Sequence, residues 1–580
     1  MPGKWIKTHL RDMQFKDWII LSLILIGAVA FRLIFLTKEV AIGFDEVNYI
    51  KLAASGHLNG LNHVLHPYWT PLYPALVALV AYIIPDYILA ARLLSIALSS
   101  LLIVPFFFFV KRYYSRNIAC GSSLLIAFFS IAAVYNVKIE TEPLYSLVGI
   151  LGIFFGWSAM KNSSPLKGFF AGCLFGAAYL ARPEGTGFLI AFLFSLSVLI
   201  LFQLLHRAKV KSYLAIFLLA AIGFLLTASP YLIYLRQATG VWTISAKGAS
   251  NQQGSMYVRN KAKFQEHPFH SLSKDNKRLL QDEVYHLGTF VRNQEKAGQP
   301  VVKISIKDFA AKAIENFYKL LKSNIPEILN LPLIMLLALG LFSIRLNREQ
   351  TLLDFYLLSF IIFFWIGLLS AFFPAPRYLI PLLPISFLWI ARGTVQLKNW
   401  LNSSLPDLLQ MQSGKACIKF VSFAIAISLI LISSILPEFG KQMKRDQTST
   451  AEWEPAIEQQ KAGLWLRENG KKHPIIMAYN HAVSFYAGNY EIKESVEIPE
   501  NDVDRLLAYA RYRGAQYLVL DDRYRHHHPL ISNLYEGVGV PPDLKLIYSD
   551  EQANGLGTRI YEIMDAPAAA TGEKAADLQK

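Results

Sequence analysis

Two adjacent carboxylates, Asp45 and Glu46, follow the first long apolar run of the chain, and three arginines, Arg92, Arg182 and Arg377, stand at the borders of later runs. A carboxylate beside a hydroxyl takes up its proton as that hydroxyl attacks. A guanidinium offers a planar fork of donors that matches phosphate oxygens. Gathered on one side of a membrane, these residue types would suit group transfer from an anionic, lipid-tethered ligand. Lys138, Glu140, Glu142 and Glu184 lie near the ends of the same runs. Each residue also has a plainer reading. Arginines at a lipid boundary snorkel to headgroups or pair with acids such as Glu142 or Glu184, and an Asp-Glu dipeptide is commonly a solvated loop. The loop after the first run also holds His57, His63 and His66, ahead of Tyr68-Trp69-Thr70-Pro71-Leu72-Tyr73-Pro74. A divalent metal, if bound there, would draw on Asp45, Glu46 and His66, although their irregular spacing is unlike an ordinary ligand set.

The elements that must hold these residues are membrane helices. Of 580 residues, 53% are apolar and 17% charged, against roughly a quarter charged in water-soluble proteins. Runs able to cross about 30 Å of hydrocarbon cover 18–36, 87–110, 117–136, 143–160, 167–181, 185–205, 212–235, 324–343, 352–373, 377–395 and 419–437, which predicts eleven helices. Pro71 to Ile84 is apolar but short, and counting it as a span would put Lys111, Arg112 and Arg116 on the wrong side under the positive-inside rule. It reads as an interfacial or re-entrant helix. The N-terminus and the basic segments around Lys111, Lys161, Arg207, Arg345 and Arg392 then fall on the cytoplasmic side. Asp45, Glu46 and the three arginines fall on the outer side. The middles of the helices are almost free of ionisable residues, unlike a transporter with a polar path through the bilayer.

Three large pieces lie outside on this topology: loops 37–86 and 236–323, and everything after 437. Residues 305–322 alternate apolar and lysine positions at helical spacing, as an amphipathic interfacial helix does, the plainer reading being a soluble helix over a small core. Residues 438–565 have nearly balanced charge and read as a small α/β domain, with helices at 456–466 and 503–512 and strands at 474–478, 516–520, 544–548 and 558–563. Residues 566–580 have nothing to bury and read as disordered. The formal charge of +15 thus belongs to the membrane part and its loops, and does not imply nucleic acid. Cys120, Cys173 and Cys417 sit inside apolar runs and form neither a disulfide framework nor a zinc motif.

Asp45-Glu46, Thr70-Pro71-Leu72-Tyr73-Pro74, Arg92-Leu93-Leu94, Thr141-Glu142-Pro143-Leu144, Ala181-Arg182-Pro183-Glu184-Gly185 and Pro376-Arg377-Tyr378-Leu379-Ile380-Pro381 appear in that order, all at the outer face. The set resembles the GT-C membrane glycosyltransferases, in the branch of protein O-mannosyltransferases and lipid A aminoarabinose transferases (glycosyltransferase family 39-like). The likeness covers residues 1–437, and the segment with Trp465-Leu466-Arg467 and Phe485-Tyr486-Ala487-Gly488 is similar to the outer domain of bacterial members.

The resemblance implies an α-helical polytopic membrane protein of the inner membrane that moves a sugar from a polyprenyl-phosphate carrier to a lipid, glycan or protein acceptor on the outer face. Asp45 maps onto the family's acidic residue, as the general base that takes the acceptor hydroxyl proton or else orients that hydroxyl, with Glu46 beside it. Arg92, Arg182, Arg377 and Lys138 would meet the carrier phosphate, and Glu142, Glu184, Tyr73, Tyr378 and His66 would line the donor or acceptor pocket. In-line attack would invert the anomeric centre, and no cofactor is required. Two other classes fit parts of the pattern: a flippase for lipid-linked sugars, and a glycan-binding scaffold or sensor.

Overall fold

The computed structural model describes residues 15–39, 41–205, 210–247, 270–288, 306–342, 347–408, 435, 456–551 and 556–564. Among these, seven helices are long and apolar enough to cross a membrane: Phe15–Leu36, Tyr87–Tyr113, Glu142–Asn162, Pro183–Leu201, Val210–Thr239, Arg348–Ala371 and Pro376–Ser404. Two bent pairs, Arg116–Phe128 with Ser130–Asn136 (56°) and Ile306–Ile328 with Leu331–Phe342 (100°), raise the count to nine. Pro165–Ala181, 17 residues long, is the further crossing expected at 167–181. Leu72–Ala81 is a 10-residue helix, too short to cross. All but one residue of the expected last span, 419–437, and the whole of the tail 566–580 fall outside the described residues.

Two local features explain how the bundle closes. The 56° bend falls at Phe129, whose extended backbone interrupts the helix. The carbonyls stranded there, Ile126 and Ala127, accept from the Arg32 guanidinium at 3.0 and 3.2 Å, and Arg32 Nε reaches Ser99 Oγ at 3.0 Å. A fully buried arginine is costly without acceptors, and a broken helix supplies them. Arg32 therefore caps a kink. The second feature is a stripe of small residues, Gly168, Gly172 and Gly176, on Pro165–Ala181. A Cβ at Gly172 would lie 1.9 Å from the Ala220 carbonyl oxygen, so only glycine lets this helix and Val210–Thr239 touch backbone to backbone.

The amphipathic segment forms as a helix, Ile306–Lys319. Its Asn316 Nδ2 donates to the Ser370 and Phe372 carbonyls at 3.0 and 3.2 Å, while Ile306, Ile314 and Tyr318 stay exposed. Apolar side chains on the surface of such a helix suit a lipid interface.

After residue 456 the chain builds a five-stranded sheet: β1 (Ile476–Ala478), β2 (Ser495–Val496), β3 (Tyr517–Asp521), β4 (Leu544–Glu551) and β5 (Gly557–Ile563), in the order β2-β1-β3-β5-β4. β1 pairs in parallel with β2 and β3, while β5 runs antiparallel to β3 and β4. β2, only two residues long, had no signal in the sequence. Alternation sends Ile476, Ala478, Tyr517 and Val519 to one face, under Ala462 and Leu466 of Ile457–Asn469. Met477, Leu518 and Leu520 go to the other, under Leu506, Leu507 and Ala510 of Val503–Arg513. A sheet covered on both faces needs apolar residues at successive positions, as Tyr517-Leu518-Val519-Leu520 provides.

This sheet unit is not closed on itself. Leu272 and Leu279 of the loop after Val210–Thr239 are part of its core. Arg505 donates to the Leu272 and Ser273 carbonyls at 3.0 Å, and the Glu500 amide donates to that of His270 at 2.8 Å. On the other side, Ala482, Phe485, Tyr486 and Ile492 join the core of the helical bundle, and the Tyr486 hydroxyl accepts from the Ile42 amide at 3.2 Å.

Candidate active site

Helix Phe44–Asn59 starts where the chain leaves the first span, and its first turn carries Asp45 and Glu46. Carboxylates are favoured at that position by the helix dipole and its free amides. Glu46 Oε2 takes the Gly43 amide at 2.9 Å, closing the first turn. Asp45 points away from its own helix and receives Arg377 Nη2 at 2.8 Å, with both side chains 27% exposed. Arg377 lies on the 3-10 turn Pro376–Leu382, where Pro376 and Pro381 bracket a tight backbone. Its other nitrogen reaches Glu140 Oε1 at 3.5 Å.

A second arginine stands alongside. Arg182 caps the end of Pro165–Ala181, hydrogen-bonds Glu142 at the first position of Glu142–Asn162, and has Nε 3.5 Å from Glu184 Oε2. Both guanidiniums pack against the Tyr378 ring, Arg182 at 4.9 Å and Arg377 at 5.0 Å from its centroid, and Arg377 Nη2 also donates to the Tyr378 hydroxyl at 3.1 Å. A guanidinium packed on a ring turns its edge toward oxygen ligands, which here are the carboxylates of Asp45, Glu140, Glu142 and Glu184. Lys247 lies 5.2 Å from the Tyr68 and Trp69 rings.

The balance of charge is uneven. Burial works against ionisation of Asp45, yet Arg377, Lys247 and Arg182 together hold it below the usual carboxylate range. Glu140 has the opposite outcome: burial and then the neighbouring Glu142 push it up to about 8, against the pull of Arg377 and Lys138. Its buried Oε2 has no hydrogen-bond partner. Glu46 is also raised by burial, while Lys138 overcomes burial through Glu39, Glu46 and Glu140 and is held above the usual lysine range. At neutral pH a protonated Glu140 leaves the group around Arg377 short of negative charge, so an anion is welcome there.

Other predicted site residues sit differently. Arg92 donates Nη1 to the Glu39 carbonyl at 2.7 Å and Nη2 to that of Ala41 at 2.8 Å. Both groups that would have faced a phosphate are thus committed to the backbone leading into the Asp45 helix. Tyr73 is wholly buried, its hydroxyl 2.9 Å from Ser95 Oγ, where it ties Leu72–Ala81 to Tyr87–Leu101. His66 Nδ1 accepts the Tyr68 and Trp69 amides at 3.2 and 3.3 Å, and burial lowers its pKa to about 3. It builds the turn before Thr70. Asp45, Glu46 and His66 do not come together as metal donors. Among the described residues, the group of three donor side chains close enough to share an ion is His286, His481 and Glu497.

Glu140 stood among the expected outer ionisable residues without a role of its own, and Lys247 was not expected at the site. Glu140 was visible as an acid two residues before Glu142, and Lys247 stands in a loop with no distinguishing pattern.

A helical bundle with short interfacial helices and a sheet domain at the end that holds the acid-arginine cluster is the architecture of the GT-C membrane glycosyltransferases. The profile describing dolichyl-phosphate-mannose-protein mannosyltransferases matches residues 66–234, which include Glu140, Glu142, Arg182 and Glu184. Solved structures agree across most of the chain. The oligosaccharyltransferase of Archaeoglobus fulgidus in the apo form superposes with a TM-score of 0.56 at 12% identity, covering 88% of this chain and 70% of that one. Its complex with an inhibitory peptide and a dolichol-phosphate gives 0.54 at 12%, covering 96% and 75%. ArnT from Cupriavidus metallidurans bound to undecaprenyl phosphate gives 0.55 at 11%, covering 94% and 98%. A comparison with curated protein sequences returns no match. The chain therefore has the GT-C fold, and at these identities the solved structures speak for fold alone.

Proposed function

We propose that the protein transfers a sugar from a polyprenyl-phosphate carrier to an acceptor hydroxyl or phosphate at the membrane surface where the sheet domain sits. The observation that carries this reading is the pair of arginines stacked on Tyr378, with Asp45 on one of them at 2.8 Å. Two relatives in fold were solved with dolichol-phosphate and undecaprenyl phosphate, which supports a lipid phosphate as the anion.

In this reaction the acceptor oxygen forms a bond to the anomeric carbon while the bond from that carbon to the carrier phosphate breaks. The acceptor proton goes to Asp45, and the bonding electron pair leaves on the phosphate. In-line attack inverts the anomeric centre. Arg182 and Arg377 stabilise the charge that grows on the leaving phosphate. The Asp45–Arg377 pair has a part in the timing: a carboxylate held by an arginine is a weak base, and the carrier phosphate competes for the same guanidinium. Donor binding thereby loosens Asp45 and raises its basicity. Arg92 acts earlier, fixing the backbone from which the Asp45 helix springs. The positive-inside pattern of the sequence supports reading this surface as the outer one, and the resemblance to bacterial members supports the periplasmic face of an inner membrane.

The test is transfer by purified full-length protein from a polyprenyl-phosphate sugar, with donor binding measured in parallel. Asp45→Asn is expected to bind donor and to lose transfer. Wild-type-like turnover by that variant overturns Asp45 as the base. Failure of the wild type to bind any polyprenyl phosphate overturns the donor class.

A further inference from the structure

The loop and the sheet domain meet around three donor side chains outside the acid-arginine cluster. His286 comes from the turn Glu283–Leu287, His481 precedes helix Ala482–Tyr486, and Glu497 follows β2. One ligand atom from each lies within 4.8 Å of the others, and all three residues are buried. His481 Nε2 is 3.1 Å and His286 Nε2 is 4.0 Å from Glu497 Oε1. The Gln281 side chain reaches the Glu497 carboxyl, but neither nitrogen of His481, nor His286 Nε2, nor either oxygen of Glu497 has an aligned hydrogen-bond partner.

The surroundings settle which atoms face inward. Asp282 Oδ1 lies 2.9 Å from His286 Nδ1, and Asp282 also accepts from the Tyr509 hydroxyl at 2.5 Å and the Glu497 amide at 3.3 Å. A carboxylate on Nδ1 holds the proton there and leaves the Nε2 lone pair directed at Glu497, the arrangement by which outer partners orient a metal-binding histidine. His286 Nε2, facing Glu497 Oε1 at 4.0 Å, needs a proton or a cation between the two, and a divalent ion serves all three donors at once. Lys51, a buried cation packed nearby, commits its ammonium to Ser484 Oγ at 3.0 Å and Ser495 Oγ at 2.7 Å. In a tetrahedral zinc site the donor atoms stand roughly 3.3 Å apart, from bonds of about 2.0–2.1 Å. A small side-chain adjustment brings this group to that spacing.

We propose that His286, His481 and Glu497 form a structural site for a divalent transition metal, zinc by its two-imidazole, one-carboxylate donors, that staples the loop to the sheet domain. The staple has a reach beyond the domain. Tyr285, adjacent to His286, packs its ring 4.7 Å from that of Tyr68 and 6.2 Å from that of Trp69, the two rings beside Lys247. Metal binding therefore anchors one wall of the acid-arginine cluster.

Full-length protein in detergent, stripped with a chelator and repurified, is titrated with Co2+ and then Zn2+. One Co2+ per chain, with the visible absorption of a four-coordinate ion and displacement by Zn2+, is the expected result. Glu497→Gln and His481→Gln should each lose that absorption while eluting as monodisperse protein, and Asp45→Asn should keep it. Absence of stoichiometric binding by the wild type, or its full retention in both ligand variants, overturns the site. Zinc-edge X-ray absorption of the wild type gives an answer independent of the variants: scattering from two imidazoles supports the assignment, and none refutes it. Either outcome is separable from sugar transfer, since neither readout uses a donor.

Discussion

The bundle carries buried carboxylate-arginine pairs at both ends, and the two ends are built in opposite ways. Away from the sheet domain, Asp354 accepts from the Tyr114 hydroxyl at 2.6 Å, Trp389 Nε1 at 2.9 Å and Arg392 Nη1 at 2.7 Å, and only 7% of either ion's side chain is exposed. Asp17, in the same layer, holds Lys111 and Arg116, each at 2.7 Å. The Asp354 network is closed; Asp17 is buried too, although its partners Lys111 and Arg116 stay 24% and 35% exposed. At the sheet-domain end, Asp45, Glu140, Glu142 and Glu184 contend for Arg182 and Arg377. A Glu140 oxygen is left over, and the Asp45–Arg377 pair is open to solvent. A saturated buried pair fixes helices. A cluster whose acceptors and donors do not match, and which can be reached, is arranged for something that arrives.

Single substitutions at the two ends should separate these roles. The largest effect falls at the open end. Asp45→Asn removes the proton acceptor but keeps its shape, so turnover should drop about 10³-fold, within the range for general-base loss, with the melting temperature in detergent nearly unchanged. Loss of activity that merely follows loss of folded protein would assign Asp45 to structure and erase the contrast.

At the closed end the sign reverses. Asp354→Ala leaves Arg392, Tyr114 and Trp389 buried around a missing acceptor, and breaking such a pair costs about 3–5 kcal/mol. Thermal unfolding should move down sharply while turnover per folded molecule stays the same. A third substitution sits between these extremes. Arg377→Lys keeps the charge but gives up the planar fork and the stack on Tyr378, so the donor KM should rise roughly tenfold, the scale of one charge-assisted hydrogen bond, with kcat reduced less.

The contrast also marks what the sequence could reveal. The apolar runs were legible because lipid imposes length and composition on every span, and four of the five sheet strands because two covered faces demand consecutive apolar residues, a signal too short to read in β2. Asp45, Arg182 and Arg377 were legible as ions at the ends of spans. Partners were not. Nothing in the residues near Arg92 says that its donors meet the carbonyls of Glu39 and Ala41, or that Arg32 closes a kink nearly a hundred residues away in sequence, because backbone acceptors leave no trace in residue type. His286, His481 and Glu497 were hidden for a related reason: they come from three segments that only the folded chain brings together, with none of the short spacing that betrays a metal motif.

The smallest and most specific effect concerns Glu140. Burial and Glu142 raise it to about 8, so below that pH it is neutral beside Arg377, and above it a new negative charge competes with the carrier phosphate for the same guanidinium. Donor KM should therefore climb several-fold as pH passes from 7 to 9, with kcat changing little. Glu140→Gln, which imitates the protonated form, should flatten that climb and leave the value at pH 7 near wild type. Stability moves with the same proton. Between the unfolded value near 4.5 and about 8 the folded state holds the proton that the unfolded chain has released, so stability falls as pH rises across that interval. The glutamine variant should lose this part of the slope as well. A KM that ignores pH in the wild type would mean that Glu140 is already ionised and paired, and the open end would then be closer in kind to the saturated one.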